Sequence, residues 1–414
     1  MNAKFDSSAN RQPVTRQTFD EVLVPTYAPA AMVPACASGL DVWDQDGKRY
    51  LDFTSGIATI SLGHCNPALV GALTRQANTL WHVGNGYTNE PVLRLASALT
   101  EATFAERAFF CNSGAEANEA ALKLARKYAH ERFGLHKSRI VSCHAAFHGR
   151  TLFTVSVGGQ AKYTEGFEPL PPGISHIHYN DIASARNAIT DDVAAVIVEP
   201  VQGEGGVVPG DIEFLKTLRT LCDQTGALLV FDEVQSGVGR TGALYDYMNV
   251  GVTPDILTSA KALGNGYPIG AMLTTNAIAR HFGVGSHGTT YGGNPLAATV
   301  ALGVIEQINQ PAFLARVRAA GAMTMANLEK LAADYPQLFA APRGKGLLLG
   351  LPMAKAYRGK SKDFTKAAEK LGLMLLVAGP DVVRLAPALV VSDAQIAQAD
   401  RLMRQAADAF LAAR

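Results

Sequence analysis

The clearest chemical signal in the sequence is one lysine downstream of one aspartate. Lys261 lies among short side chains in the segment 259–264, and Asp232 ends the apolar run 228–231. Such a lysine can hold pyridoxal phosphate as a Schiff base, and a strand-end aspartate can keep the pyridine nitrogen protonated so that the ring accepts electrons. The pair therefore predicts a pyridoxal phosphate site, against the simpler readings of a surface lysine and an acidic loop.

A second signal is a turn of small and polar residues at the start of a predicted helix. The segment 112–118 contains Ser113, Gly114 and Ala115 and follows a predicted strand. Backbone N–H groups at a helix start are unpaired and carry the positive end of the helix dipole, so they bind anions. The segment predicts a phosphate site, although an ordinary helix N-cap is the alternative for these residues alone.

Phe147, His148 and Arg150 follow the end of another predicted strand. An aromatic ring can stack on a planar cofactor, which contributes about 0.5–1.5 kcal/mol beyond the buried area. An arginine suits bidentate binding of a carboxylate. A core phenylalanine and a surface ion pair are the alternatives for Phe147 and Arg150. We assign no role to His148, because a hydrogen-bonded structural histidine is the more common case.

Composition narrows the class of protein. The 414 residues hold 37 lysines and arginines against 36 aspartates and glutamates, for a formal net charge of +1. The basic residues form no concentrated tract, so nucleic acid is not an expected partner. A metal site is not expected either, because His176 and His178 lack a third ligand in view.

The lack of a recognisable secretion signal or membrane span, together with the cysteine usage, favours a cytoplasmic protein. Residues 1–16 are polar and lack the apolar centre of a secretion signal, and no later apolar stretch is long enough to span a bilayer. The cysteines are odd in number and widely spaced, which is typical of reduced thiols. They are Cys36, Cys65, Cys111, Cys143 and Cys222.

Strand-like and helix-like segments alternate between about residues 104 and 290, which predicts an α/β fold with a mainly parallel sheet. The predicted strands are 108–111, 139–143, 194–199, 227–232 and 256–258. The predicted helices are 115–132 and 211–224, and the second ends before Gly226, which suits a helix C-cap.

The two ends of the chain predict a smaller α/β domain. Residues 42–53 and 346–351 form predicted short strands, and a long helix follows Ser392 as its N-cap. We expect an N-terminal arm at 1–18, a small domain from 19–75 and 310–414, and a large cofactor-binding domain at 76–309.

Six motifs in a fixed order resemble one family. They are NSGAEANE at 112–119, AFHGRT at 146–151, EPVQGEGG at 199–206, FDEVQSGVGRTG at 231–242, SAKALGNGYPIGA at 259–271 and HGTTYGGNPLA at 287–297. Together they resemble the class III aminotransferases of the aspartate aminotransferase fold, pyridoxal phosphate fold type I. Further stretches, such as TFDEVLVPTYAP at 18–29 and SLGHCNPALV at 61–70, are similar to acetylornithine and succinylornithine transaminases.

The resemblance implies roles for the cofactor-binding residues. Lys261 would carry the Schiff base, and Asp232 would pair with the pyridinium nitrogen. Gln235 would reach the phenolic oxygen of the cofactor, while Phe147 and Val234 would cover the two ring faces. The phosphate-binding group would consist of Ser113, Gly114, Ala115 and Thr290. In this family the threonine comes from the neighbouring subunit, which implies a homodimer with shared active sites.

The resemblance also implies a pocket that takes two different amino donors. We expect Arg150, with Tyr27, to bind the carboxylate far from the reacting carbon, and Arg384 to bind the α-carboxylate of glutamate. An acylornithine would leave a buried Arg384 unpaired, which is costly, and Glu204 would neutralise it. Thr289 matches a position that contacts the acylornithine.

Two positions depart from patterns found among relatives. Ile57 stands where ornithine δ-transaminases commonly have a tyrosine that contacts the free α-amino group, which favours an acylated substrate nitrogen. Asn265 stands where many relatives have glycine, and asparagine tolerates left-handed backbone better than most residues.

The expected function is transfer of the terminal amino group of N2-succinylornithine or N2-acetylornithine to 2-oxoglutarate, in arginine metabolism. Overall similarity leans toward the succinyl substrate, and the acyl group stays open. Ornithine, 4-aminobutyrate and decarboxylating transaminases are alternatives, whereas Arg150 with Arg384 disfavours an aminomutase. A non-catalytic protein that binds pyridoxal phosphate is the alternative from another class, and Lys261 and Asp232 argue against it.

Overall fold

The computed structural model describes residues 14–413, so most of the expected N-terminal arm lies outside the described residues. The described α-helices are α1 (Arg16–Val22), α2 (Ser55–Ala58), α3 (Pro67–Ala77), α4 (Glu90–Ala102), α5 (Gly114–Phe133), α6 (Leu152–Val157), α7 (Ile182–Ala188), α8 (Ile212–Thr225), α9 (Tyr247–Val250), α10 (Asn276–Ala279), α11 (Pro295–Ile308), α12 (Pro311–Asp334), α13 (Ser361–Lys370) and α14 (Asp393–Ala412). Short 3₁₀ turns cover Ala161–Tyr163, Lys261–Gly264 and Lys355–Tyr357.

The strands are β1 (Pro34–Ser38), β2 (Asp41–Asp44), β3 (Arg49–Asp52), β4 (Arg107–Cys111), β5 (Arg139–Cys143), β6 (Ile174–Ile177), β7 (Val193–Val198), β8 (Val201–Gln202), β9 (Val208–Pro209), β10 (Leu228–Asp232), β11 (Ile256–Ser259), β12 (Gly270–Thr274), β13 (Arg343–Lys345), β14 (Leu348–Pro352), β15 (Leu373–Met374), β16 (Leu376–Ala378) and β17 (Val382–Leu385).

A seven-stranded sheet forms the centre of the molecule, in the order β4-β12-β11-β10-β7-β5-β6. The pairs from β11 to β6 are parallel, whereas β12 is antiparallel to both of its neighbours. The five strands predicted between residues 104 and 290 are confirmed as β4, β5, β7, β10 and β11, with ends that differ by one residue. β7 and β10 are buried along their whole length, because their continuous apolar sequences leave no solvent-facing side.

The register of β10 and β11 places the predicted lysine and aspartate at one edge of this sheet. Asp232 lies opposite Thr258. Because the two strands are parallel, their carboxyl ends meet at the same edge, and the chain turns there from Ser259 into Lys261. Ligands of open α/β sheets bind at this edge.

The predicted helices are also confirmed. α5 begins at Gly114 after the N-cap Ser113. α8 begins after Asp211 and ends at Thr225, before Gly226, whose left-handed φ of 72° suits glycine. α14 begins with a capping box in which Ser392 and Gln395 bond reciprocally. Among residues 14–413, no helix combines the length and the apolar character that a bilayer crossing requires.

Strands from both ends of the chain pair in smaller sheets. In the sheet β1-β2-β3-β15, Leu373 pairs in parallel with Leu51. β13, β14, β17 and β16 form a further sheet. The strand predicted at 42–53 is two strands, since the chain turns at Gly47 with a φ of 79°. The strand predicted at 346–351 starts two residues later, at Leu348, because Gly346 turns with a φ of 57°. The expected domain boundaries stay a prediction.

Candidate active site

A cavity of about 370 Å³ lies at the carboxyl edge of β10 and β11. Most of the residues predicted to bind the cofactor line it, together with one predicted substrate residue. These are Ser113, Gly114, Ala115, Phe147, Arg150, Asp232, Val234, Gln235 and Lys261. The structure therefore brings together segments that are up to about 150 residues apart in the sequence.

A second cavity, of about 620 Å³, adjoins the first. Phe147, Arg150 and Lys261 line both cavities, so they form the border between them. The walls of the second cavity also include Tyr27, Ile57 and Glu204 as predicted, together with the apolar side chains of Leu152, Val155 and Phe167. One chamber of this site can hold a cofactor while the other admits a substrate.

Lys261 lies in a strained turn and has no partner of its own. Its φ is 45°, a left-handed value that a lysine adopts only when its surroundings hold it there. No hydrogen bond or salt bridge joins its ammonium group to residues 14–413. Burial lowers the pKa of Lys261, the Glu204 carboxylate opposes that shift, and the Arg384 guanidinium adds to it. A lowered pKa favours the free amine, which is the nucleophilic form.

The buried Asp232 carboxylate is held by three donors. Its Oδ2 accepts from Asn118 Nδ2 and from His148 Nδ1, both at 2.7 Å, and its Oδ1 accepts from the Val234 N–H at 3.0 Å. Thr258 Oγ1 donates to Asn118 Oδ1 at 2.7 Å, which fixes the orientation of the amide. The carboxylate is thereby fixed in place at the wall of the first cavity.

His148 therefore has a contact that the sequence interpretation did not assign to it. The ring is buried, and its second nitrogen, Nε2, lies 3.2 Å from Ser142 Oγ. Burial lowers the pKa of His148, but the hydrogen bond and charge of Asp232 outweigh burial and raise it. Asn118 was likewise unassigned, because only the fold shows that its position in α5 faces β10. For His148, the sequence signal that could have indicated a place in the site was its position directly after Phe147.

The start of α5 fits the predicted phosphate site. The N–H groups of Gly114 and Ala115 have no acceptor among the described residues, while Ser113 Oγ accepts from the Glu116 N–H. Glycine is required at position 114, because an added Cβ would lie 2.8 Å from the methyl groups of Val234. The free N–H groups and the bare glycine leave room for an anion beside Val234.

Thr289 and Thr290 do not line either of the two cavities. Thr290 is exposed. Thr289 borders a separate cavity of about 290 Å³, and its Oγ1 accepts from Asn112 Nδ2 at 3.4 Å. Within a single chain, the two threonines are thus outside the chamber that holds Lys261.

Glu204 and Arg384 form a salt bridge at the wall of the second cavity. Arg384 Nη1 donates to Glu204 Oε1 at 2.5 Å and to Gln235 Oε1 at 2.9 Å. Gln235 Nε2 also donates to Glu204, at 3.3 Å. Burial would raise the pKa of Glu204, but the nearby Arg384 charge lowers it. Arg384 is 2% exposed and lines neither cavity, whereas its partner Glu204 lines the second cavity and its partner Gln235 lines the first.

Arg150 differs from Arg384, because no carboxylate neutralises it. Its guanidinium lies 3.8 Å from the ring centroid of Tyr163 and 5.6 Å from that of Phe147, and it forms no salt bridge within residues 14–413. The Tyr163 and Phe147 rings meet edge to face at 6.1 Å. Tyr163 was not predicted, since a cation–π contact needs the tertiary structure to be seen. Tyr27 is 78% exposed at the same cavity.

Glu199 links two segments of the site. Its Oε1 accepts the Phe147 N–H at 3.0 Å, and its Oε2 accepts the Gly203 N–H at 3.2 Å. Burial raises the pKa of Glu199 to about 7. This carboxylate was not predicted, although it begins the EPVQGEGG motif, and it ties Phe147 to the loop that carries Glu204.

Comparison with known proteins assigns the family. A family model described as aminotransferase class-III matches residues 24–407. The chain belongs to the class III aminotransferases. It is 58% identical over 401 residues to the acetylornithine aminotransferase of Pseudomonas putida, covering 97% of this chain and 98% of that protein. It is 59% identical over 390 residues to the succinylornithine transaminase of Yersinia pseudotuberculosis, covering 93% of this chain and 94% of that protein.

A solved structure agrees with this assignment. The ornithine aminotransferase of Toxoplasma gondii superimposes with a TM-score of 0.92 at 31% identity, over 96% of this chain and 95% of that chain. Class III aminotransferases use pyridoxal phosphate to move an amino group between an amino donor and a keto acid. The expected family, fold class and cofactor are therefore confirmed, and this class III aminotransferase depends on pyridoxal phosphate.

The residues of the first cavity fit this cofactor. Lys261 offers an unpaired amine, Asp232 a fixed carboxylate, and the start of α5 two free N–H groups. Phe147 is half-buried and lines the chamber as an aromatic wall. The amine suits the aldehyde of the cofactor, and the carboxylate suits its pyridine nitrogen. The free N–H groups suit its phosphate, and the aromatic wall suits its planar ring.

The His148–Asp232 contact predicts a pH-dependent stability. Because the folded-state pKa of His148 is raised, its stabilising contribution is present in full below the unfolded pKa of about 6.5 and is lost as pH rises through the folded value. We expect the stability lost in His148→Gln to be largest at low pH and to shrink as pH rises. Denaturant unfolding of both proteins between about pH 5.5 and 9 measures the difference. The exposed His136→Gln is the control, and a pH-independent loss in His148→Gln would contradict the prediction.

Proposed function

We propose that this aminotransferase transfers the terminal amino group of N2-succinylornithine or N2-acetylornithine to 2-oxoglutarate, which gives the N-acylglutamate 5-semialdehyde and glutamate. The observation that carries the proposal is the unequal state of two arginines around one substrate chamber. Arg150 has no carboxylate partner among the described residues and contacts only aromatic rings, whereas Glu204 neutralises Arg384. The names of the two relatives at 58% and 59% identity support the same substrates.

The two arginines suit two different donors. An acylornithine reacts at its terminal amine, so its α-carboxylate, and the further carboxylate of a succinyl group, lie far from the reacting carbon, and the α-carboxylate can bind Arg150. No second carboxylate then reaches Arg384, and the Glu204 contact avoids an unpaired buried charge. Glutamate reacts at its α-amine, so one carboxylate can bind Arg150 while the α-carboxylate replaces Glu204 at Arg384.

The other residues of the site act on protons and orientation. When bound, pyridoxal phosphate supplies a ring that takes up the electron pair left on the substrate carbon. The Lys261 amine, whose pKa is lowered, can accept the proton from that carbon and would pass it to the cofactor rather than back to the substrate. Asp232, fixed by Asn118 and His148, would hold a positive charge on the ring nitrogen.

Ornithine is the main alternative donor, because the Toxoplasma neighbour is named for it. Ile57 is 46% exposed at the substrate chamber and offers only an alkyl side chain. A free α-ammonium group at that wall would lose hydration without gaining a partner, whereas an acylated nitrogen carries no charge. The apolar side chains of Leu152, Val155 and Phe167 likewise favour an acyl group.

We further propose a cytoplasmic homodimer in which each chain supplies Thr290 to the phosphate site of the other. Thr290 is exposed and lies outside the chamber of its own chain. Its sequence neighbour Tyr291 is 61% exposed and has its ring 5.3 Å from that of His82, which follows the 65% exposed Trp81. A second copy of the chain would cover this patch and complete the site.

Borohydride reduction tests the tether. Reduction of the purified enzyme should fix the cofactor on the peptide that contains Lys261, and Lys261→Ala should show no label. Catalysis should fall by at least about a thousandfold in Lys261→Ala, because the variant lacks the proton-transferring amine. Peptide mapping by mass spectrometry identifies the labelled site, and a label on another lysine would contradict the assignment.

Glu204→Ala tests the proposed pair of donors. Without the Glu204 carboxylate, the α-carboxylate of glutamate can bind Arg384 without competition. An acylornithine, in contrast, would leave the buried Arg384 charge unpaired. The ratio of kcat/KM for glutamate to kcat/KM for N-acetylornithine should rise about tenfold, which corresponds to about 1.4 kcal/mol. Glu119→Ala, which removes a carboxylate of α5 that does not line the second cavity, is the control. An unchanged ratio in Glu204→Ala would reject the switch.

Mixed dimers test the shared site. Lys261→Ala chains and Thr290→Val chains should each be impaired, and a heterodimer should regain one intact site that combines Lys261 of one chain with Thr290 of the other. Co-expression with two different tags and activity per heterodimer measure this recovery, with about half of the wild-type activity expected. No recovery would show that each chain supplies both residues to its own site.

A further inference from the structure

The turn that carries Lys261 ends at Asn265, a position where many relatives have glycine. Asn265 adopts a left-handed conformation, with φ 45° and ψ 41°. Lys261, at the other end of the turn, also has a left-handed φ of 45°. Two such residues in one turn persist only when neighbouring groups hold the backbone.

The side chain of Asn265 provides such a hold. Its Oδ1 accepts the Leu62 N–H at 2.6 Å, and its Nδ2 donates to the Gly63 carbonyl at 3.1 Å. One amide thus pairs with the main chain of two successive residues, as a neighbouring strand would. The buried Ser61 adds a third bond, because its Oγ donates to the Ala262 carbonyl at 3.0 Å.

The segment 61–64 is itself anchored to both ends of the chain. The Leu389 N–H donates to the Ser61 carbonyl at 2.7 Å, and His64 exchanges two backbone bonds with Gly39 at 2.8 and 3.0 Å. The same segment begins four residues after Ile57, which lines the second cavity. Asn265 therefore connects the turn that carries Lys261 to the wall that carries Ile57.

The approach of the two segments is close. An added Cβ at Gly266 would lie 2.7 Å from Ile60 Cδ1, so the backbone after Asn265 packs directly on the segment before Ser61. Little space is left for another arrangement of the turn.

We propose that Asn265 is a positioning residue: by clamping its side-chain amide on Leu62 and Gly63, it fixes the Lys261 turn against the substrate wall. The amine of Lys261 is then held at the border between the two cavities, where it must reach both cofactor and substrate. The proposal rests on the role assigned to Lys261 under the proposed function.

The variant Asn265→Gly tests the clamp. Glycine keeps the left-handed backbone freely and removes only the side-chain amide. In the holoenzyme, the Leu62 amide should exchange with deuterium about tenfold faster, because its acceptor is gone. The single-turnover rate with N-acetylornithine, normalised to the sites that hold cofactor, should fall about tenfold with less than about twofold change in half-saturation.

Asn180→Gly is a matched control. Asn180 is also left-handed, with a φ of 62°, and its amide also pairs with the main chain, at Asp211 N (2.9 Å) and Pro209 O (3.1 Å). It lines neither cavity. Asn180→Gly should therefore lower the denaturant midpoint of unfolding about as much as Asn265→Gly does. The single-turnover rate per cofactor-loaded site should not change.

Ser61→Ala is a second variant that keeps the proposal testable if Asn265→Gly does not fold. It removes the bond to Ala262 and should slow the single-turnover rate in the same direction, with effects in the double variant that are not additive. A rate per loaded site within about twofold of wild type in either variant would overturn the proposal, as would unchanged exchange at Leu62 in Asn265→Gly. Failure to label Lys261 with borohydride would instead overturn the proposed function, while the exchange measurement would still report on the clamp.

Discussion

The parallel pairing of β10 with β11 is the constraint on which the site depends. It sets Asp232 opposite Thr258, and Thr258 Oγ1 orients the Asn118 amide that binds Asp232. A shift of one residue in this register would turn every side chain of β11 to the other face of the sheet. Thr258 would then leave Asn118, and the chain would enter the Lys261 turn in a different direction. The buried apolar side chains of β10 and β11 oppose that shift on both faces.

The charges around the substrate chamber form one coupled system. Glu204 neutralises Arg384, and it also opposes the loss of charge that burial imposes on Lys261. Under the proposed switch, a substrate carboxylate that takes the place of Glu204 would do more than bind an arginine. It would bring a negative charge of its own to the neighbourhood of Lys261. Substrate binding at Arg384 and proton transfer at Lys261 would then be linked through one salt bridge.

The fold could largely be predicted from the sequence, whereas parts of the site could not. Buried parallel strands leave continuous apolar runs, and Gly226 marks a helix end, so these features can be seen locally. Lys261 and Asp232 could be identified because chemistry restricts the residue types. The contacts of His148 and Tyr163 could not, because each joins segments that only the fold brings together. Thr290 shows another limit, since the role proposed for it would be performed in the site of a second chain, outside the geometry of this one.

Backbone strain is concentrated on the substrate side of the site. The short segment α2, residues 55–58, is a left-handed turn with four successive positive φ values, and Lys261 and Asn265 contribute two more. Side-chain hydrogen bonds hold both segments: Asp52 Oδ1 accepts the N–H groups of Thr54 and Ser55, and Asn265 pairs with Leu62 and Gly63. Strained backbone held in this way has few alternative conformations, so the substrate wall and the reactive amine are positioned before a ligand binds. The orientation that catalysis requires is then provided largely by folding rather than by the binding of substrate.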